Sequence, residues 1–125
     1  MSKTNSQNQP VVSILMGSKS DLEKMMKAAE VLKQFEVPHE IRVLSAHRLP
    51  DQVGDYAKAA PAQGLKILIA GAGMANHLAG ALAAHCTLPI IGVPLTGSAL
   101  NGLDALYATV QMPKGIPVAT VAIDG

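Results

Sequence analysis

This sequence is poor in the residues that announce many kinds of protein. It has no tryptophan, one phenylalanine and two tyrosines, so aromatics make up only 2% of its 125 residues. A core must therefore be built from Ala, Val, Ile, Leu and Met, which the 49% hydrophobic content allows. A single cysteine, Cys86, excludes an internal disulfide and fits a reducing compartment. It is expected as a small apolar residue within a helix, without a neighbouring cysteine and therefore a poor nucleophile. No apolar run approaches the roughly 20 residues of a membrane span, and the polar start, Met1 to Pro10, lacks the apolar stretch of a signal peptide. A cytoplasmic protein without a membrane partner is expected. Net charge is +1 with no basic run, which argues against a nucleic-acid partner, because phosphate-backbone binding needs concentrated Lys and Arg. The motifs G-x-G-x-x-G, H-E-x-x-H and C-x-x-C are absent, as is a Walker lysine. The segment Gly71–His77 has no acidic residue and no metal-ligand spacing.

What remains is an alternation of short apolar runs and helical patterns, in a length that suits one domain. Residues 1–9 are expected as a disordered leader and 10–125 as a single domain. Strands are predicted over Val11–Met16, His39–Leu44, Lys66–Ala70, Pro89–Val93 and Pro117–Ile123. Asp21 opens a helix whose apolar stripe is Leu22, Met25, Met26, Ala29 and Leu32, with Lys24, Lys27 and Lys33 off it. Pro50 is suited to the first position of a second helix, where its missing N–H costs nothing, with Val53, Tyr56, Ala57 and Ala60 inward. Further helices are predicted over Ala75–His85 and Leu103–Val110. Near-continuous apolar strands between helices point to a parallel sheet covered on both faces. In the flavodoxin-like order 2-1-3-4-5 the topological switch falls between the first and third strands, where ligands bind outside the strands' C-terminal ends.

Three loops then converge on that crevice. Gly17-Ser18-Lys19-Ser20-Asp21 has a turn-forming glycine before a helix N-terminus, which favours an anion; Ser18 and Ser20 add hydroxyls and Asp21 can accept from ribose hydroxyls. The plain alternative is an N-cap, Ser20 or Asp21 serving the helix alone. In Ser45-Ala46-His47-Arg48, Arg48 can grip a phosphate with its planar fork, and His47 is a residue type that titrates near neutral pH, as a proton shuttle must. Here the alternative is a solvated His and Arg in a turn. Gly71-Ala72-Gly73 leads to His77, its glycines letting backbone N–H groups approach a planar ligand. His77 either lines the pocket or satisfies a local hydrogen bond. His39, at the other end of the sheet, and His85, near a helix C-terminus, are discounted.

Long ordered segments make the combination familiar. MGSKSD at 16–21, SAHR at 45–48, IAGAG at 69–73 and ALNGLDALYATVQMPKGIPVATVAI at 99–123 resemble the N5-carboxyaminoimidazole ribonucleotide mutase family, class I PurE, over essentially all of Val11 to Ile123. The resemblance implies a flavodoxin-like three-layer α/β/α sandwich with a five-stranded parallel sheet. It implies conversion of N5-carboxyaminoimidazole ribonucleotide to 4-carboxy-5-aminoimidazole ribonucleotide in purine biosynthesis, with neither a metal nor an organic cofactor. By the same resemblance Ser18, Asp21, Ser45 and Arg48 bind the ribose phosphate portion, with the Ser20 hydroxyl a further candidate from its loop, and His47 is general acid and base. Gly71, Ala72, Gly73 and His77 wall the region of the imidazole and migrating carboxyl group. A homo-octamer and a functional link to N5-carboxyaminoimidazole ribonucleotide synthetase are implied too. Two alternatives stand beside the mutase. One is the related class II enzyme, which carboxylates aminoimidazole ribonucleotide directly and carries lysine where Arg48 stands. The other is a nucleotide-binding module without catalysis. The chain departs from the family pattern at Met74, Asn76 and Ala79, within GAGMANHLAG, where larger side chains at 74 and 76 are expected beside the pocket. LTGSAL at 95–100 also differs, in a loop expected to approach a neighbouring subunit. The C-terminal helices with which family members continue are not in the sequence.

Overall fold

The structure is a computed structural model that describes residues 9–125; the leader expected over 1–9 lies outside the described residues except for Gln9. The strands are β1 (Val12–Met16), β2 (His39–Val43), β3 (Ile67–Gly73), β4 (Ile90–Leu95) and β5 (Ala119–Thr120). The helices are α1 (Leu22–Gln34), α2 (Pro50–Ala59), α3 (Leu78–His85) and α4 (Leu103–Val110), with a 3₁₀ turn, Lys19–Asp21, leading into α1. All pairings are parallel, in the order β2-β1-β3-β4-β5 expected from the sequence. Among the described residues no helix is long and apolar enough to cross a membrane.

Strand alternation divides the core into two. Ile14 and Met16 of β1 and Val93 and Leu95 of β4 meet Met25 and Ala29 of α1 on one face. Leu15, Leu68, Ala70 and Ile90 meet Val53 and Ala57 of α2 and Leu78, Ala79 and Leu82 of α3 on the other. Each fully buried Val, Ile, Leu or Met among them contributes about 1.5–3 kcal/mol, each Ala less. α4 closes on the second face, where Thr109 and Val118 stand directly over Gly92. The α1 stripe is narrower than expected: Met26 is 37% exposed.

β2 runs along the edge and has no fully buried residue. Its Glu40 instead joins a polar cluster beneath α2. Ser13, wholly buried on β1, donates its hydroxyl to Glu40 Oε2 at 3.2 Å; Tyr56 Oη and, at 3.2 Å, Arg42 Nε donate to the same oxygen. Tyr56 therefore belongs to the inner face of α2 through its hydroxyl as well as its ring. Burial works against the Glu40 carboxylate, but the bonds from Tyr56, Arg42 and Ser13 outweigh it, and its pKa lies below the ordinary 4.5. The sign follows from linkage. A depressed folded-state pKa contributes stability that is full above the unfolded value and lost as pH falls through the folded one. Tyr56→Phe is expected to cost about 1–3 kcal/mol at pH 7, a deficit that shrinks on acidification below the ordinary Glu pKa. Urea denaturation at several pH values checks this; a deficit independent of pH would sever the link to Glu40.

Three elements differ from their sequence-based bounds by three residues at one end; α3 begins at Leu78 rather than Ala75. β3 runs through Gly71-Ala72-Gly73, which had been expected as a loop, because those residues pair with Val93, Pro94 and Leu95 of β4. β5 shrinks to two residues: Pro117 has no N–H to offer a ladder, and beyond Thr120 the bonds to β4 come from Val121 and Asp124, to the Gly92 and Pro94 carbonyls. Cys86 is not inside a helix. It is the extended residue that ends α3, partly buried.

Candidate active site

A cleft of about 640 Å³ opens at the C-terminal ends of the parallel strands. Its first wall is the turn after β1. Ser18, in extended backbone, accepts the Ser20 N–H at its Oγ (3.2 Å) and so caps the 3₁₀ turn, with the Ser20 hydroxyl 2.9 Å away. The cap is thus Ser18 rather than Ser20 or Asp21; Asp21 makes no side-chain capping bond and turns to the cleft. Burial pushes the Asp21 carboxyl above its ordinary value, partly countered by the Ser18 backbone and the Lys24 charge.

The second wall is the turn joining β2 to α2. Leu44 N–H is anchored to the Met16 carbonyl at 2.8 Å, and Ser45 closes the turn by accepting Arg48 N–H at Oγ (3.2 Å) and Leu49 N–H at its carbonyl (2.9 Å). That turn holds His47 and Arg48 exposed at the cleft.

The third wall rises from β3. Ala72 and Gly73 line the cleft, followed by Met74, Ala75 and His77. Gly71 does not line it. Its backbone is in the sheet, and a Cβ there would lie 2.4 Å from Met25 Sδ, so the glycine serves the approach of α1. Met74 is 62% exposed with φ +54, a left-handed conformation costly for a residue with a side chain, and it stands at the cleft's lip. Asn76, expected beside the pocket, is instead 1% exposed and turned into the core. Its Nδ2 donates to Thr109 Oγ1 at 2.8 Å.

Two of these walls meet. His47 Nε2 and His77 Nδ1 are 2.7 Å apart, with the rings edge-on at 90°. A hydrogen bond between two imidazole nitrogens holds one proton between them, so the pair can hand a proton to, or take one from, a ligand beside it. Of the sequence-based site residues, Ser18, Ser20, Asp21, Ser45, His47, Arg48, Ala72, Gly73 and His77 surround one cleft, and only Gly71 stands behind it. The sequence reading missed Lys24 and the Thr96-Gly97 pair, which form a fourth wall. Lys24 carries a signal, three residues past Asp21 on the same helix face, but the sequence places it, like Lys27 and Lys33, only off the apolar stripe. Among the described residues no group of three His, Cys, Asp or Glu side chains is arranged to hold a metal ion.

Fold and cleft define a class, that of doubly wound α/β proteins whose ligand crevice lies at the topological switch point, here between β1 and β3. Within that class the chain belongs to the AIR carboxylase family, whose model matches residues 11–125. It is 57% identical over 116 residues to the N5-carboxyaminoimidazole ribonucleotide mutase of Pyrococcus abyssi, covering 93% of this chain and 67% of that protein. It is 56% identical over 115 residues to the phosphoribosylaminoimidazole carboxylase of Schizosaccharomyces pombe, covering 92% of this chain but only 21% of that one. A crystal structure of Treponema denticola PurE superposes with a TM-score of 0.82 at 34% identity, over 92% of this chain and 73% of that one. The chain thus spans about two thirds of the archaeal relative and a fifth of the fungal one.

Proposed function

We propose that this chain, over residues 10–125, is the catalytic domain of an N5-carboxyaminoimidazole ribonucleotide mutase in purine biosynthesis, with His47 as its general acid and base. The observation that carries the proposal is the His47–His77 pair facing a cleft bordered by Ser18, Asp21, Ser45 and Arg48. Arg48 supplies a fixed cation for the phosphate, and the Ser18, Ser20 and Ser45 hydroxyls with Asp21 are suited to the ribose and phosphate oxygens.

The chemistry fits these groups. His47 protonates the carbamate nitrogen; the N–C bond to the carboxyl breaks, releasing carbon dioxide and leaving aminoimidazole ribonucleotide. Carbon 4 of that ring, an enamine-like nucleophile, attacks the trapped carbon dioxide and forms the new C–C bond. His47, now neutral, removes the proton from carbon 4. The proton count closes on itself, as an isomerisation requires. Ala72, Gly73 and Ala75 make the neighbouring wall small and apolar, which would keep carbon dioxide from hydrating.

The direct carboxylase is the second reading, favoured by the name of the fungal relative at 56% identity. Arg48 after His47 favours the mutase. Turnover of N5-carboxyaminoimidazole ribonucleotide by the purified protein without added bicarbonate decides between them. Product formation is the expected result; activity on aminoimidazole ribonucleotide that needs bicarbonate would make it the carboxylase, and ribonucleotide binding without turnover a binding module.

The mutase proposal extends to a cytoplasmic homo-octamer supplied by N5-carboxyaminoimidazole ribonucleotide synthetase, whose product is the substrate. Supporting self-association, α4 leaves Leu103, Tyr107 and Val110 44%, 59% and 46% exposed at helical spacing, an apolar stripe suited to burial against another subunit.

A further inference from the structure

Lys24 is the cleft residue that the proposed chemistry leaves without a task. It sits on α1 one turn past Asp21, and its Nζ donates to the Thr96 carbonyl at 3.2 Å and to Thr96 Oγ1 at 2.5 Å, while standing 3.5 Å from Asp124 Oδ1. Thr96 passes the chain of bonds on: its N–H donates to Asp124 Oδ1 at 2.9 Å and its hydroxyl to Asp124 Oδ2 at 2.6 Å. Three segments far apart in sequence are thereby tied together at one corner of the cleft. They are α1, the end of β4 and the turn after β5.

Asp124 is a good anchor for this. Burial works against its carboxylate, but the Thr96 hydroxyl and amide and the Lys24 charge together outweigh it and hold its pKa below the ordinary value. A lone Lys–Asp pair this exposed would contribute little; bonds to a backbone N–H and a hydroxyl are charge-assisted and directional. The need for an anchor is visible next door. Gly97 forms the cleft's lip with φ +128, and a Cβ there would meet nothing within 4 Å beyond its chain neighbours, so that side of the tip is open. Thr96 fixes that lip on its N-terminal side, as Ser98, bonded to the Asp104 carboxylate at 3.1 Å, does on the other.

We propose that Lys24, Thr96 and Asp124 form a clamp that holds the fourth wall of the cleft in its ligand-ready position, Lys24 being a positioning residue for the ribonucleotide rather than a ligand of it. Two of the ammonium's donors are directed at Thr96 and its charge is paired with Asp124 at 3.5 Å, which sets it to hold the wall rather than to bind a phosphate. The clamp rests on the mutase reading only for the identity of the ligand.

Lys24→Met keeps the aliphatic stem and removes the charge; Asp124→Ala removes the other end; Lys24→Arg restores the cation. Lys24→Met and Asp124→Ala are each expected to raise KM for N5-carboxyaminoimidazole ribonucleotide by about 5–20-fold with kcat within about twofold. The double variant should be no worse than the weaker-binding single, since both remove one unit, and Lys24→Arg should recover most of the loss. Hydrogen exchange at the Thr96 amide, which donates to Asp124, should accelerate in both single variants at unchanged unfolding midpoint. Unchanged KM and unchanged exchange would overturn the clamp, as would an equal fall in kcat accompanied by a lowered midpoint, the mark of general structural damage. If the wild type turned over no substrate, the mutase reading would fail alone: the affinity for aminoimidazole ribonucleotide by calorimetry would replace KM, and the same exchange result would uphold or sink the clamp.

Discussion

His47→Asn is expected to lower kcat for N5-carboxyaminoimidazole ribonucleotide by about 10²–10⁴-fold while leaving ribonucleotide affinity within a few-fold, the usual weight of a positioned general acid–base group. Asparagine keeps a polar group in a side chain of related shape but cannot give up and regain a proton. Ser18, Asp21, Ser45 and Arg48 belong to other positions of the cleft and do not depend on the imidazole for their placement: Ser45 holds its turn through the Arg48 and Leu49 amides. Binding and chemistry should therefore separate. Single-turnover kinetics beside calorimetry with aminoimidazole ribonucleotide measure the two. Near wild-type turnover in the variant would remove His47 from its assigned role, and an equal loss in binding would make it a ligand contact instead.

Gly92→Ala is expected to cost about 2–4 kcal/mol of stability, since overpacking and an orphaned polar group add. A Cβ at 92 would lie 2.5 Å from Thr109 Cγ2 and 2.8 Å from Val118 Cγ1. Both neighbours are β-branched and stiff about χ1. Thr109 is also committed: its hydroxyl donates to the Ala105 carbonyl at 2.6 Å and accepts from Asn76 Nδ2 at 2.8 Å. Turning it aside would strip the buried Asn76 amide of its short bond, when Asn76 Oδ1 already lacks a protein partner. Asn76 precedes His77, so the damage should reach the cleft. Gly80→Ala is the control. Its Cβ would meet only the flexible end of Met112, at 3.2 Å, and a helical Gly→Ala change there should stay within about 1 kcal/mol of neutral. Urea unfolding of the two variants checks the contrast; equal midpoints would refute it.

Much of the site was legible because the parallel α/β pattern carries its own geometry. Once five strands alternate with helices, the loops after the first three strands must reach one edge, and Ser18, Asp21, His47, Arg48 and His77 are then neighbours. What escaped was anything that depended on direction rather than position. Asn76 follows a cleft-lining alanine and precedes a cleft-lining histidine, yet it faces inward because Thr109 is there to receive it. Gly71 looks like part of a ligand-binding loop, but α1 packs so closely that Met25 occupies the space a side chain would need. Lys24 resembled its solvated neighbours because Thr96 and Asp124, its partners, are 72 and 100 positions further along the chain.

The sequence by itself determined the alternation of strands and helices, the strand order and the loops that form the cleft, since periodicity, glycine and proline act locally and parallel crossovers leave few topologies. The tertiary structure alone decided which residues within those loops face one another: the 2.7 Å His47–His77 contact, the inward turn of Asn76, the Lys24–Thr96–Asp124 clamp. Such contacts join residues 28 to 100 positions apart. Their formation depends on how closely helices settle on the sheet, which is fixed by packing across the whole core rather than by any local run of residues.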